Sequence, residues 1–298
     1  MQGALISTKT QDEDFYDSIT QDIGKNLIQF ISERGHGKSS AVKTIVKKIR
    51  MTHPEYIFYI YDISQTWFES APVKYRQLVT VDKIKNGQIV NVGDCVYEMG
   101  GLSVSQRRVF VGTMIAQHYK ARYNMKLIDS EAFKALPTII YIIEESNVIF
   151  GSYSFRIKDY ISPILDDFVS VGRNYKLSAI LIATVEESEM APSLRRRSRR
   201  IYGRLVAEGD ISRVRRNSKE MAKYLSQEIP RFNFVYWGES GFIGPVKVPD
   251  EVKTPAEDYP LPEAQPQSGG KSSAMGWLFF GFMAVIGVYM FLSYFGVI

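Results

Sequence analysis

The sequence predicts an α/β protein in which a mostly parallel β-sheet is covered by helices on both faces. Continuous apolar runs of strand length, such as residues 56–62, 137–143 and 178–184, alternate along the chain with amphipathic helical stretches. A strand that is apolar at nearly every position is buried on both sides, which is typical of parallel sheets. The chain has 298 residues, 45% hydrophobic and 23% charged, so it is long enough and apolar enough to bury a core.

The predicted elements follow one another in a regular order. The apolar run 26–31 predicts the first strand, and helical spacing of apolar side chains after a Gly-rich turn predicts a helix over 38–50. The other predicted strands are 56–62, 88–92, 137–143, 178–184, 201–206 and short pieces within 232–248. The other predicted helices are 103–123, 161–171 and part of the arginine-rich stretch that precedes residue 201.

Composition divides the chain into four segments. Residues 1–22 form an N-terminal extension without the apolar run of a secretory signal. Residues 23–248 carry the predicted α/β domain, and residues 249–273, rich in Pro, Gly and Ser, form a linker. Residues 274–298 contain no charged side chain.

The uncharged segment 274–298 predicts a transmembrane helix, because about 20 apolar residues suffice to cross a bilayer. Trp277 and Tyr294 lie near its ends, where interfacial aromatic residues are expected. We expect a single-pass tail anchor, and Lys271 on the near side favours a cytoplasmic domain. The alternative is a buried core helix.

Few residue types are present that bind transition metals. The chain has one cysteine, Cys95, and three histidines, which excludes an intramolecular disulfide and a cysteine-based zinc site. Any chemistry must therefore use carboxylates, lysine, arginine, hydroxyls and the backbone.

Residues 32–39, Ser-Glu-Arg-Gly-His-Gly-Lys-Ser, match the phosphate-binding P-loop except that Ser32 occupies the first Gly position. A predicted strand precedes the motif and a predicted helix follows it. The glycines let backbone N–H groups curl around phosphate oxygens, and the start of the helix adds its positive dipole end. The candidate residues for binding ATP are Gly35, His36, Gly37, Lys38, Ser39 and Ser40.

Within this motif two side chains have predicted roles. Lys38 reaches the β- and γ-phosphates and the Ser39 hydroxyl ligates Mg²⁺, whereas Ser40 packs or caps the helix. The alternative is a Gly-rich turn that matches by chance.

The apolar run 139–143 ends in Glu144 and Glu145, which predicts a Walker B site. We expect Glu144 to support Mg²⁺ through a bound water and Glu145 to be the general base that polarises the attacking water. The alternative is a solvated strand end with two exposed carboxylates.

Two further residues end predicted strands at the edge of the sheet where ligands collect. Thr184 follows the strand 178–184 and is a candidate sensor of the γ-phosphate, and Asp62 ends the strand 56–62. Either residue is equally well explained as a helix cap or turn residue.

Arginines complete the candidate site. The net charge is +5, yet nine arginines lie between residues 191 and 216 against two acids, so this segment alone is +7. Arg173 is a candidate catalytic cation that a neighbouring subunit supplies. The candidate nucleic-acid contacts are Arg195, Arg196, Arg197, Arg199 and Arg200. Their possible targets are DNA phosphates, a neighbour's nucleotide or an acidic membrane, and the alternative is a solvated helical face.

In their order, these motifs resemble the HerA/FtsK superfamily of P-loop motor ATPases. The resemblance covers roughly residues 20–250 and rests on the P-loop, the Walker B pair and the block from Gly172 to Thr184. The sequence departs from the family at Glu144, where Asp is usual, and at Thr184, where Gln is frequent.

The resemblance implies a homo-hexameric ring that moves double-stranded DNA with ATP and Mg²⁺. The compact chain is similar to viral genome-packaging ATPases, which implies capsid proteins as partners and, with the anchor, a virion or host membrane. The zonular-occludens-toxin-like morphogenesis ATPases of filamentous phages, which drive virion assembly and extrusion, are an alternative, with coat proteins as the implied partners. A membrane-tethered nucleotide switch or scaffold is a second alternative.

Overall fold

The computed structural model describes residues 11–247 except 69, 152–160, 185–191, 206–210, 213, 215–218, 220–224, 226–229, 231–232 and 239–240. The predicted linker 249–273 and the predicted membrane segment 274–298 lie outside the described residues. In the part of the chain that is described, no helix is both long enough and apolar enough to cross a bilayer.

The described residues form one nine-stranded sheet with flanking helices. The strands are β1 (Leu27–Ile31), β2 (Ile57–Asp62), β3 (Tyr75–Leu78), β4 (Cys95–Glu98), β5 (Ile139–Ile143), β6 (Leu177–Ala183), β7 (Ser198–Tyr202), β8 (Asn233–Gly238) and β9 (Gly241–Lys247). The helices are α1 (Gln11–Ile23), α2 (Lys38–Thr52), α3 (Val81–Lys85), α4 (Val104–Ile128), α5 (Ser130–Ala135), α6 (Ser146–Phe150), α7 (Ile161–Val171) and α8 (Pro192–Arg197), with a 3₁₀ turn at Gly172–Tyr175.

The sheet order is β3-β4-β2-β5-β6-β1-β7-β8-β9. Strands β1 to β7 pair with one another in parallel, whereas β8 pairs antiparallel with both β7 and β9. The predicted mostly parallel sheet is therefore confirmed. Because β5, β6, β1 and β7 are neighbours, their carboxyl ends meet at one edge of the sheet and their amino ends at the other. We call these the carboxyl edge and the amino edge.

Both faces of the sheet are covered, as the sequence predicts. In β1, Leu27 and Ile31 pack into one apolar cluster, whereas Ile28 and Phe30 pack into the other. Helices α4, α6, α7 and α8 cover the first face, and α1 and α2 cover the second. Most of the predicted N-terminal extension is thus helix α1, whose apolar side is buried against the domain and whose Asp22 accepts a hydrogen bond from Tyr236 of β8.

The prediction of a strand at 88–92 is wrong. The neighbouring segments form strands β3 and β4 instead, and the backbone of 88–92 bonds to side chains. Gln77 donates to the carbonyl of Val90 at 2.7 Å and accepts from its amide at 2.8 Å, and the Tyr97 hydroxyl lies 3.1 Å from the amide of Val92. The apolar residues there are partly buried without pairing in the sheet. Their pattern therefore indicated burial and not a strand.

The strand expected at 201–206 begins earlier than predicted. Strand β7 runs from Ser198 to Tyr202, so Arg199 and Arg200 pair with Ile28 and Gln29 of β1. Pairing with a buried neighbour outweighs the polar local pattern. Helix α4 also extends five residues beyond the predicted end to Ile128 and begins with a capping box formed by Ser103 and Gln106.

Candidate functional site

The P-loop connects β1 to α2 at the carboxyl edge. Gly35 and Gly37 have φ angles of 74° and 82°, a left-handed conformation that favours glycine. Ser32, which replaces the usual first glycine, donates from its hydroxyl to the carbonyl of Arg204 at 3.2 Å. Gly203 is packed against that hydroxyl so closely that a Cβ there would lie 2.5 Å away. The serine therefore ties the loop to the end of β7.

Lys38 is the first residue of α2, directly after the loop, and is 7% exposed. Its ammonium group donates to the carbonyls of Ser32 at 2.6 Å and Glu33 at 2.7 Å. Desolvation by burial lowers the pKa of Lys38 to about 8, against the opposing attraction of Glu144. These contacts hold the ammonium group against the P-loop backbone, and its contact with phosphates stays a prediction.

Most of the predicted nucleotide-binding residues surround one open cleft of about 500 Å³. Its lining includes the predicted residues Gly35, Gly37, Lys38, Ser39, Ser40, Glu144, Glu145 and Thr184. His36 does not line the cleft, and its ring lies 3.7 Å from the Glu33 carboxylate. Thr184, which directly follows β6, faces the cleft as a sensor of the γ-phosphate requires.

Glu144 is the most heavily hydrogen-bonded carboxylate of the site and is 3% exposed. Its Oε1 accepts from the hydroxyls of Ser39 at 2.8 Å and Thr66 at 2.7 Å and from the Trp67 indole at 3.0 Å. Its Oε2 accepts from the backbone and hydroxyl of Ser64. Burial alone raises a carboxyl pKa, but these hydrogen bonds outweigh it and lower the pKa of Glu144.

Asp62 is fully buried behind Glu144. Its carboxylate accepts from the backbone amides of Thr66, Trp67 and Phe68 at 2.9–3.2 Å, which fixes the loop after β2. Desolvation and the charge of Glu144 raise the pKa of Asp62 to about 7. The aspartate therefore shapes the loop that holds Glu144, as a turn residue, and does not line the cleft.

The structure brings the two predicted magnesium residues together. The Ser39 hydroxyl and the Glu144 carboxylate are both hard oxygen ligands, and Mg²⁺ is commonly held by one or two protein oxygens together with waters and substrate phosphates. These residues fit Mg²⁺. Among the described residues there is no cluster of three or more His, Cys, Asp or Glu side chains that suits a metal.

Glu145 has a strained backbone, with φ 42° and ψ 48°, at the start of α6. Its side chain is 28% exposed and its Oε1 accepts a hydrogen bond from Arg34 at 3.0 Å. Arg34 belongs to the P-loop and lines the same cleft. The sequence analysis missed Arg34, as well as Ser64, Thr66 and Trp67. Arg34 could have been found from the sequence, because it is a positively charged residue within the P-loop motif itself.

Arg173 lies at the opposite edge of the sheet. It belongs to the 3₁₀ turn before β6, so the seven residues of β6, about 23 Å, separate it from the cleft end. Arg173, Lys25 and Arg197 line a small recess of about 20 Å³ at the amino edge. Among the described residues, none of these three cations forms an ion pair with a carboxylate.

The predicted arginine cluster is divided between two elements. Arg197 ends α8 and is exposed, whereas Arg199 and Arg200 are half-buried in β7 and project to opposite faces of the sheet. The side chains of Arg195 and Arg196 lie outside the described residues. The cluster is therefore not one continuous helical face, and its contact with nucleic acid stays a prediction.

Comparison with known proteins gives a similarity of fold. No family profile and no curated protein match the sequence. The genome-packaging NTPase B204 of Sulfolobus turreted icosahedral virus 2 in complex with ATPγS superposes with a TM-score of 0.51 at 13% identity, over 74% of this chain and 98% of that chain. The complex of the same NTPase with AMPPCP superposes with a TM-score of 0.50 at 14% identity, over 75% of this chain and 99% of that chain.

The DNA-packaging ATPase B204 of Sulfolobus turreted icosahedral virus gives a TM-score of 0.51 at 14% identity, over 74% of this chain and 98% of that chain. The chain thus has a P-loop NTPase fold, with a parallel sheet and a phosphate loop. In particular, it shares its overall fold with the B204 proteins of these two viruses, so the resemblance found in the motifs is confirmed at the level of the fold.

Proposed function

We propose that this protein hydrolyses ATP in the cleft at the carboxyl edge. The observation that carries the proposal is the hydrogen bond between Ser39 of the P-loop and Glu144 at the end of β5, which joins the phosphate-binding and magnesium-binding halves of the site. A Gly-rich turn that matched by chance would have no reason to meet a buried carboxylate at the end of β5, which lies two strands away in the sheet.

Four side chains of the cleft then have proposed roles. Lys38 and the amides of the P-loop hold the β- and γ-phosphates, and Ser39 and Glu144 hold Mg²⁺, which supplies charge stabilisation when bound. Glu145 takes a proton from water as the water oxygen bonds to the γ-phosphorus. The bond from that phosphorus to the bridging oxygen breaks, and ADP and phosphate leave.

We propose further that hydrolysis drives double-stranded DNA in viral genome packaging. The fold shared with B204 proteins of two viruses supports this, since those proteins are described as genome- or DNA-packaging enzymes. We expect a ring, most simply a homo-hexamer, in which Arg173 acts on a neighbour's nucleotide, because it lies far from the cleft of its own subunit. Capsid proteins are the expected further partners.

Two other functions compete with DNA packaging. A filamentous-phage-type morphogenesis ATPase would drive virion assembly on coat proteins, and a membrane-tethered switch would bind ATP without translocation. The position of Glu145 at the cleft favours an enzyme over the switch, because a switch needs no general base.

The discriminating experiment is steady-state ATP hydrolysis by the full chain in detergent, with and without double-stranded DNA. Stimulation by DNA supports the packaging motor. Activity that ignores DNA and needs a coat protein supports morphogenesis, and a lack of turnover with intact ATP binding supports the switch.

We also propose that residues 274–298 anchor the protein to a membrane with the ATPase domain on the cytoplasmic side. The support is the uncharged apolar composition of this segment behind a Pro-rich linker. Deletion of 274–298 should shift the protein from the membrane fraction to the soluble fraction with ATP binding retained. A deleted protein that aggregates and binds no ATP would contradict the anchor.

A further inference from the structure

The end of helix α4 exposes a group of apolar side chains. Of the large apolar residues that are exposed in the described part of the chain, four lie within the last six positions of this helix, namely Tyr123, Met125, Leu127 and Ile128. Leu127 and Ile128 are 69% and 85% exposed. Every residue from 123 to 131 is exposed, so this end of the helix projects from the domain instead of packing one whole face against it. We call residues 123–131 the α4 tip.

The α4 tip lies at the amino edge of the sheet. Lys126 donates to the carbonyl of Asn174 at 3.2 Å, and Arg122, one turn earlier, donates to the carbonyls of Tyr175 and Lys176 at 3.4 Å. These carbonyls belong to the turn that leads into the first residue of β6. None of the tip residues lines the recess at the amino edge, so a contact at the tip and a contact at the recess use different residues.

The surroundings of the tip are positively charged. Residues 119–136 and 172–176 contain six cations and two acids. Both acids are engaged within the chain, because Asp129 caps helix α5 and Glu131 forms an ion pair within α5. Helix α7, which packs on α4, adds two aspartates, and the net charge remains positive. The ammonium group of Lys126 bonds to a carbonyl, which carries no net charge to compensate it.

The shape of the tip favours a lipid surface over a protein partner. A stable protein interface takes about 20–30 residues from each side, and the tip has nine. A bilayer, in contrast, closes around a projecting apolar group of any size. Lysines beside such a group keep their ammonium ends among anionic headgroups. Exposed apolar side chains that are surrounded by cations are therefore matched to an anionic membrane surface.

The predicted linker by itself does not select an orientation of the domain. Strand β9 ends at Lys247 on the carboxyl edge, because it runs antiparallel to β8, which runs antiparallel to β7. A Pro-rich segment of the length of 249–273 spans up to about 75 Å, far more than a strand of the sheet. Such a linker allows either edge of the sheet to face a membrane, so a second contact is needed to select one of them.

We propose that the α4 tip inserts Leu127 and Ile128 into an anionic membrane and so turns the amino edge towards the bilayer, with the nucleotide cleft facing away. The two side chains lie at the boundary between headgroups and acyl chains, and lysines near the tip contact lipid phosphates. The inference rests on the proposed anchor 274–298 to bring the domain to the bilayer, and it assigns the orientation of the domain to a separate surface.

A fluorescent probe tests this contact in the full chain. Cys95 is buried, and burial raises the pKa of its thiol to about 11, so a thiol-reactive nitrobenzoxadiazole label reacts with an introduced cysteine instead. Ile128→Cys carries the label at the tip. The matched control is Val104→Cys, which replaces a 55% exposed apolar residue at the other end of the same helix, about 36 Å away.

The labelled proteins are bound to vesicles of phosphatidylcholine and phosphatidylglycerol. The emission of the probe at 128 should shift to the blue, and nitroxide lipids labelled near the headgroup should quench it more than those labelled near the chain end, because the insertion depth is about 5–10 Å. The probe at 104 should show neither effect. Leu127→Asp in the Ile128→Cys protein should abolish both effects, since a carboxylate is costly to bury and is repelled by anionic lipid.

Lipid charge and salt test the role of the lysines. Quenching at 128 should decrease on vesicles of phosphatidylcholine alone, and also in 1 M salt, where the Debye length falls to about 3 Å. Equal quenching under all these conditions would overturn the selection of anionic lipid.

Flotation of the same vesicles measures the anchor separately. Protein that floats with the vesicles but shows no quenching at 128 overturns this inference and leaves the anchor intact. Protein that floats only with anionic vesicles and is quenched at 128 supports the inference and contradicts the anchor. A blue shift at 128 in the absence of vesicles would show that a second copy covers the tip, and equal quenching at 104 and 128 would show unspecific contact. Either result overturns the inference.

Discussion

The charged side chains at the carboxyl edge of the sheet have partners within the subunit, whereas the cations around the recess at the amino edge have no carboxylate partner among the described residues. At the carboxyl edge Lys38 bonds to carbonyls, Glu144 accepts from five donor groups, and Glu145 pairs with Arg34. At the amino edge the cations around the recess, Lys25, Arg173 and Arg197, have no carboxylate partner among the described residues.

The two edges therefore differ in the source of their counter-charge. The carboxyl edge is organised within one subunit and is ready for a phosphate ligand. For the recess at the amino edge the described part of the subunit supplies no carboxylate partner, so the counter-charge comes from solvent ions or from another molecule. A head-to-tail contact that brings the amino edge of one copy to the cleft of the next would supply it, and such heterologous contacts close into rings. We propose this arrangement as the basis of the expected hexamer.

The largest expected effect is at the carboxyl edge. Lys38→Ala should reduce hydrolysis by at least about 10³-fold and weaken ATP binding, because it removes the buried cation at the β- and γ-phosphates. Steady-state hydrolysis and equilibrium binding measure the two effects. Lys25→Ala, which removes a lysine at the amino edge, should retain ATP binding. Unchanged turnover in Lys38→Ala would disprove the P-loop assignment.

Arg173→Ala tests the amino edge most directly. The variant should bind ATP normally and hydrolyse it about 10³-fold more slowly, the range for an arginine supplied by a neighbouring subunit. Mixing it with Lys38→Ala subunits should restore part of the activity, since each variant supplies the half-site that the other lacks. Normal hydrolysis by Arg173→Ala alone would remove it from the catalytic site.

Substitutions of Glu145 and Glu144 should distinguish proton acceptance from magnesium binding at the carboxyl edge. Glu145→Gln should keep ATP bound and slow hydrolysis at least about 10²-fold, because it preserves shape and removes the proton acceptor. Glu144→Gln should instead raise the Mg²⁺ concentration needed for activity. If Glu144→Gln traps ATP while Glu145→Gln is mild, the two roles are exchanged.

The lowered pKa of Lys38 predicts a pH dependence that is specific to the carboxyl edge. Below pH 8 the ammonium group is charged and binds phosphate, and its charge is lost as the pH rises through about 8. ATP affinity should therefore fall about tenfold by pH 9. Lys38→Arg, whose guanidinium group remains protonated, should abolish this dependence. Equal loss of affinity in both proteins would assign the titration to another group.

The smallest effect is expected for Arg197, and it decides what the amino edge binds. If Arg197 contacts DNA, Arg197→Ala should leave basal hydrolysis near normal and reduce the salt dependence of DNA stimulation by about one phosphate contact. Because Arg197 lines the same recess as Arg173, the opposite result is informative. Loss of hydrolysis without DNA would place Arg197 with Arg173 at the subunit contact.

Elements whose signals are local could be predicted from the sequence. The apolar runs of β1, β2, β5 and β6 predicted a parallel sheet, and the spacing of Gly35, Gly37 and Lys38 predicted the P-loop. These predictions succeeded because strand burial and the turn chemistry of glycine are written in adjacent residues. The pattern failed at 88–92, where apolar residues are partly buried by side-chain contacts rather than by strand pairing.

Contacts between groups that are distant in the sequence became visible in the folded molecule. Ser64, Thr66 and Trp67 surround Glu144 from 77 to 80 positions away, and Arg34 reaches Glu145 across 111 positions. The recess at the amino edge exists because the sheet order sets β6, β1 and β7 side by side. No local pattern records strand order, since it follows from how helices of the whole chain cover both faces of the sheet, and that packing is a property of the complete fold.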